Sequence, residues 1–179
     1  MKERTGLVTI KGNPVTLVGD ELRLGDRAPD FTAVNTDMED MSLSSFRGYV
    51  LVLSSVFSLD TEVCGVETRR FNTEAAKLGP DVKVVTISMD LPFAQKRWCG
   101  SAGIDRVVTL SDHRTASFGQ AYGVLIKGMR LLARAVLVVD RQGVVRHVQL
   151  VKEVTGEPDY EPVLAAVRKL TAPSAAKES

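Results

Sequence analysis

Residues 49–57, Tyr-Val-Leu-Val-Leu-Ser-Ser-Val-Phe, are apolar or small throughout and partly β-branched. Such a run is a strand buried on both faces, and that kind of strand belongs in a sheet covered by helices on both sides. The downstream residues fit such a sheet. Asp60 or Thr61 offers a side-chain oxygen to cap a helix, and Val63, Val66, Phe71, Ala75 and Leu78 recur at helical spacing to form one core face before Gly79-Pro80 ends it. "DVKVVTISM" is the next strand, and Asp90-Leu91-Pro92 opens a short helix through "FAQKRWC" that Gly100 closes. "RVVTL" is a strand. "SDHRTASFGQAYG" is a helix capped by Ser111 or Asp112 and closed by Gly123, and "LLARAVLVVD", "RQG" and "VVRHVQLV" form a hairpin. Pro158-Asp159 leads into a last helix over Tyr160–Leu170.

Upstream of the buried strand, "TIKGNPVTLV" predicts a hairpin with Gly12-Asn13 in its turn, Pro29 opens a strand over Asp30–Val34, and the polar stretch 35–48 reads as a loop. The alternation of strands and helices predicts an α/β chain with a mainly parallel sheet, to which the late hairpin adds an antiparallel edge. That order is the one expected of a thioredoxin-like fold with a central mixed sheet, flanking helices and an N-terminal β-hairpin. Residues 1–170 are expected to form a single domain, with the hairpin extension within 1–19 and a disordered tail at 171–179.

A chain of 179 residues can bury a core without cross-links. Its formal net charge of +1 supplies no field to draw nucleic acid or an anionic membrane, and 6% aromatic residues make a poor base-stacking surface. "MKERTGLVTI" lacks the apolar core of a signal peptide, and the longest apolar runs are too short to cross a membrane, so a cytoplasmic location is expected. Two cysteines in a reducing compartment are either buried small hydrophobes or redox groups.

With Thr61 as cap, Cys64 falls in the first turn of its helix, where free N–H groups and the positive end of the helix dipole favour a thiolate. A cysteine packed inertly beneath the sheet is the alternative. Cys99 lies 35 residues on, so there is no Cys-x-x-Cys pair. It can condense with an oxidised Cys64 or be a core residue. Arg134 interrupts the most apolar strand, and alternation sets it with Leu132, Val136 and Val138. It must reach solvent or meet an anion, and a thiolate is one such anion.

Several motifs, in order along almost the whole chain, resemble the thiol peroxidase family of bacterial atypical two-cysteine peroxiredoxins. These are "GNPVTL", "GDRAPDFTAV", "SLDTEVC" with "RRFN", "DLPFAQKRWCG", "QAYGV", "LLARAVLVVD" and "QLVKEVTGEPDYE". The resemblance implies a peroxiredoxin-type thioredoxin-like fold. Cys64 would be the peroxidatic cysteine, becoming a sulfenic acid on attacking hydrogen peroxide or an organic hydroperoxide. Thr61 would hydrogen-bond the sulfur and the peroxide, Arg134 would stabilise the thiolate and the developing oxygen charge, and Phe57 and Ser58 would line the substrate pocket. Cys99 would be the resolving cysteine, closing an intramolecular disulfide that a thioredoxin-type reductant reopens. The two helices carrying the cysteines would have to unwind locally for that closure. The resemblance further implies a homodimer and no metal, haem or flavin.

The sequence departs from the family at two places. Phe57 stands where the family's Pro-x-x-x-Thr-x-x-Cys pattern has proline; it is bulkier, lacks proline's fixed φ and restores an N–H. The segment "VLIKGMRLLAR" is a few residues shorter than the family's usual loop. A low-turnover peroxide sensor on the same fold is therefore a second reading, and a non-catalytic binding module with two structural cysteines a third. His113 and His147 lack cysteine or carboxylate neighbours at zinc-ligand spacing, and no G-x-S-x-G elbow is present. Asp37, Glu39 and Asp40 read as a solvated turn, and Arg69-Arg70 as an exposed helix face, with support of the active site by one of the two arginines as the alternative.

Overall fold

The computed structural model describes residues 1–171. The chain opens with antiparallel β1 (Glu3–Ile10) and β2 (Asn13–Val18). Their turn is Lys11-Gly12 rather than Gly12-Asn13. Both residues take positive φ, 50° and 82°, as a two-residue hairpin turn requires, and Asn13 already pairs with Ile10. Next come β3 (Thr32–Val34), β4 (Asp40–Ser42), a 3-10 turn (Leu43–Phe46), β5 (Val50–Ser55), α1 (Glu62–Leu78) and β6 (Val82–Ser88). The second half holds α2 (Pro92–Ala102), β7 (Val107–Ser111), α3 (Ser117–Ala121), β8 (Leu125–Ile126), β9 (Leu131–Leu132), β10 (Ala135–Val139), β11 (Val145–Leu150) and α4 (Tyr160–Thr171). Thr171, expected in the tail, ends the last helix; the rest of that tail lies outside the described residues.

The central sheet has the order β11-β10-β5-β6-β7-β3-β4, and β1-β2-β8-β9 form a smaller one. The central sheet is the mixed one expected, but only its β5·β6 and β6·β7 pairings are parallel, so the parallel part is smaller than the strand–helix alternation predicts. The stretch 35–48, expected as a loop, contributes β4 at the edge and the 3-10 turn. β5 alternates as a strand buried on both faces should. Leu51 and Leu53 join Val85, Ile87, Leu110, Phe31 and Phe118 on one face, while Val50 and Val52 meet Phe71 of α1 and Val163 and Val167 of α4 on the other.

Three helices differ from expectation, each for a local reason. The buried face of α1 runs through Cys64, Glu67, Thr68 and Phe71, while Val66 is 43% exposed. The helix is rotated so that a carboxylate and a sulfur, not two valines, face the interior strands of the sheet. α2 continues past Gly100 to Ala102 and stops at Gly103, which adopts the left-handed conformation at φ 70°. Leu91, not Asp90, is its cap residue. α3 spans only Ser117–Ala121, because Asp112 bonds the N–H groups of Phe118 (3.0 Å) and Gly119 (2.8 Å) from a distance rather than beginning the helix itself.

Candidate active site

Register sets the site. Ala135 pairs with Ser55, so Arg134 lies at the same end of the sheet as the loop leaving β5. The Ser55 hydroxyl closes that junction by donating to the Ala133 carbonyl at 2.7 Å. Ala133 and Arg134 leave the strand geometry. Leu132 consequently joins the core face of Leu137, and the expected common face of Leu132 with Arg134, Val136 and Val138 is broken. Arg134 points to α1.

There its guanidinium meets three partners. Nη2 donates to the Cys64 sulfur at 3.2 Å, and Nη1 donates to Glu67 Oε2 at 2.7 Å. Nε and Nη2 both donate to the Val154 carbonyl, at 3.2 and 2.7 Å. Cys64 and Glu67 have no exposed surface and Arg134 only 1%. Burial pushes the Glu67 carboxyl up to about 7 even though Arg134 and the Ser54 hydroxyl (3.3 Å) draw it down. Burial also works against the charge on Arg134, yet Glu67 and Cys64 together hold its pKa above the ordinary value. One buried cation therefore faces a sulfur and a carboxyl group one helical turn apart. When Glu67 carries a proton, the charge of Arg134 is directed chiefly at the sulfur; when Glu67 is ionised, the sulfur and the carboxylate share it.

Cys64 occupies the third position of α1, after the cap residue Thr61. The Thr61 side chain makes no cap hydrogen bond; its hydroxyl donates to the Ser58 carbonyl at 2.7 Å, so in this conformation it is not spent on a first-turn N–H. The Thr68 hydroxyl donates to the Cys64 carbonyl at 2.8 Å, steadying the turn from below. Ser58 donates to Asp90 Oδ1 at 2.7 Å, and Leu59 N–H to Asp90 Oδ2 at 2.9 Å, which ties the loop before α1 to the start of α2. Phe57 is half-buried between the main core and a small cluster of Val56, Leu59 and Cys64.

Of the residues singled out in sequence, the fold thus brings Cys64 and Arg134 into contact, with Thr61, Ser58 and Phe57 in the adjoining loop. Cys99 stands apart in the last turns of α2. Both cysteines are free thiols, and Cys99 Sγ lies 3.3 Å from Thr109 Oγ1. Burial pushes the Cys99 thiol up, partly offset by that hydrogen bond. Sequence reasoning missed Glu67 and the Val154 carbonyl. Glu67 had a signal: a buried arginine opposite a helix calls for an acid on it, and Glu67 is one turn beyond Cys64. The carbonyl had none, because its position depends on how the N-terminal hairpin packs against residues 152–154.

Residues 23–164 match the Redoxin family. The thiol peroxidase of Bacillus subtilis strain 168 is 56% identical over 163 residues, covering 91% of this chain and 97% of that protein. The thiol peroxidase of Staphylococcus aureus strain MRSA252 is 48% identical over 163 residues, covering 91% and 98%. Among solved structures, a peroxiredoxin-like protein from Aquifex aeolicus superposes with a TM-score of 0.86 at 46% identity, covering 93% of this chain and 98% of that one. The Redoxin match runs across positions 64, 99 and 134, and the chain belongs to the thiol peroxidase family, enzymes of the peroxiredoxin type.

Proposed function

We propose that the peroxidase chemistry runs through Cys64 and is completed by Cys99. The Cys64 thiolate attacks the distal oxygen of a hydroperoxide. An S–O bond forms, the O–O bond breaks, and the leaving oxygen takes a proton to depart as water or an alcohol. Arg134 supplies fixed positive charge to the sulfur beforehand and to the oxygen as its charge grows. Thr61, free to turn its hydroxyl from the Ser58 carbonyl, orients the peroxide, and Phe57 and Ser58 border the place it occupies. The Cys99 thiol then attacks the Cys64 sulfenic sulfur; an S–S bond forms and the oxygen leaves as water. A thioredoxin-type dithiol reduces that disulfide and is itself oxidised. The substrates are hydrogen peroxide and small organic hydroperoxides and the enzyme works as a homodimer, both following the family resemblance; its place is the cytoplasm. Among the described residues no helix is long and apolar enough to cross a membrane.

The observation that carries this reading is the 3.2 Å contact between a buried guanidinium and the only cysteine in a first helical turn. Thiol counting tests it. A small excess of peroxide removes two free thiols from the wild type. Cys64→Ser abolishes turnover, and Cys99→Ser permits one round per chain with the reductant withheld. Retention of both thiols in peroxide-treated wild type contradicts the two-cysteine route.

Phe57 favours a second reading, a low-turnover peroxide sensor using the same disulfide. Steady-state turnover with a thioredoxin system at the rate of other peroxidases excludes it; a sharp rise in rate in Phe57→Pro supports it.

A further inference from the structure

Cys64 has no exposed surface, so neither a peroxide nor a second thiol reaches it until something moves. The small cluster around it consists of Val56, Leu59 and the sulfur-bearing residue itself, closed by the half-buried Phe57 and Trp98. Trp98 is the only tryptophan in the chain and the residue immediately before Cys99.

Three features seat its indole. The Arg69 guanidinium lies over the ring, 5.3 Å from its centroid. Gly65, next to Cys64, leaves room for it: a Cβ there would lie 3.4 Å from Trp98 Cζ2 and 3.3 Å from Arg69 Nη1. The third is the way α2 is fastened. Its start is held by Asp90 to Ser58 and Leu59, and Gln95 Nε2 donates to Ser88 Oγ (3.0 Å) and the Leu110 carbonyl (2.9 Å). Beyond its end, the side-chain carbonyl of Asn72 on α1 accepts from the N–H groups of Asp105 (3.2 Å) and Arg106 (2.7 Å). Between these anchors Lys96, Arg97, Gly100 and Ser101 face solvent, while Trp98 and Cys99 turn inward. Unwinding the stretch 96–104 therefore breaks few side-chain contacts besides those of Trp98 and Cys99.

We propose that Trp98 is the gate of the site: its indole, clamped by Arg69 on Gly65, closes Cys64 in the dithiol form, and its departure both opens the sulfur and delivers Cys99 to it. The delivery of Cys99 rests on the proposed two-cysteine route, but the gate itself does not. Leu59 and Phe57 stay with the loop, so Trp98 is the part of the cover that belongs to the segment able to unwind.

Iodoacetamide labelling of the peroxide-free dithiol protein, with Cys64 and Cys99 resolved by peptide mass, reads the opening directly. In Arg69→Met, loss of the cation–π clamp speeds Cys64 labelling by about two- to fivefold. Trp98→Ala speeds it by more than about tenfold. Arg70→Met is the control: that guanidinium lies over Tyr160 instead, 4.8 Å from its centroid, so its loss is comparable yet leaves Cys64 labelling at the wild-type rate. In the wild type, Trp98 emission shifts to the red when the Cys64–Cys99 disulfide forms. If Trp98→Ala does not fold, Arg69→Met against Arg70→Met decides alone. Cys64 labelling no faster in Arg69→Met than in Arg70→Met overturns the gate. Failure of wild-type protein to form the disulfide overturns the two-cysteine route instead, and leaves the labelling comparison intact.

Discussion

At the scale of single residues, the site is a buried sulfur and a buried carboxyl group competing for one guanidinium. Arg134 donates through three nitrogens at once, a geometry that a lysine ammonium on a flexible stem does not reproduce. Arg134→Lys is expected to lower kcat/KM for peroxide by about a hundredfold, the scale of losing one preorganised donor to a developing anion, as read by stopped-flow consumption of peroxide. Glu67 makes a prediction of opposite character. Its carboxyl ordinarily titrates at 4.5 and in the folded protein near 7, so the native state binds this proton more tightly than the unfolded chain. Folding stability from this group is full below pH 4.5 and falls as pH rises through 7, by on the order of 3 kcal/mol. Urea unfolding of wild type and Glu67→Gln at pH 5 and pH 8 isolates that contribution: the difference between the two proteins is expected to change with pH in this direction. A constant difference would show that Glu67 titrates normally.

At the scale of elements, what matters is that the loop before α1 and the start of α2 share one carboxylate. Asp90 accepts from Ser58, Leu59 N–H and Ser88 Oγ, the last at 2.7 Å, so a single side chain joins the loop that leads to Cys64 and the start of the helix that carries Cys99. Asp90→Ala leaves those donors without their partner and is expected to destabilise the protein by about 1–3 kcal/mol, seen as a lower urea midpoint. No change in the midpoint would mean that water replaces Asp90 without loss. Much of this element layout was legible in the sequence. The strand–helix–strand alternation, the Cys64 helix after Thr61 and the Cys99 helix after Pro92 all come from local periodicity and cap chemistry. The legible part ended where tertiary packing outranks local pattern. The buried face of α1 departs from the apolar periodicity because Glu67 and Thr68 look like solvent-side residues; the arrival of Arg134 makes the burial of Glu67 tolerable, and the Cys64 carbonyl accepts from the Thr68 hydroxyl. β4, β8 and β9 span two or three residues each, too few to show a period, and exist because partner strands lie beside them. The role of Asp90 differed for a similar reason: its sequence position suits a helix cap, but Ser58 and Leu59, distant in the chain, claim both of its oxygens.

At the scale of the whole molecule, the N-terminal hairpin reaches the active site through one acid. Glu153 accepts from the N–H groups of Lys11 (3.1 Å) and Gly12 (2.8 Å) in the hairpin turn and from Thr9 Oγ1 (2.8 Å), and also from Thr155. Those bonds, the Thr155 and Gly12 N–H groups foremost, hold its carboxyl well below the usual carboxylate range. The next residue, Val154, donates its N–H to the Thr9 carbonyl at 2.9 Å and offers the carbonyl that holds Arg134. Glu153→Ala is expected to reduce kcat/KM by about tenfold with the fold retained, because small displacements of a charge-bearing group reach the transition state strongly. Unchanged kinetics in that variant would detach the hairpin from the chemistry. The whole mechanism depends on Cys64 being the sulfur that takes the peroxide oxygen and Cys99 the one that removes it. Peptide mass spectrometry after one equivalent of hydrogen peroxide tests that most directly. The Cys64 and Cys99 peptides are expected to appear joined, two hydrogens lighter than their sum. Two separate peptides carrying unmodified thiols, with the peroxide consumed, would contradict it.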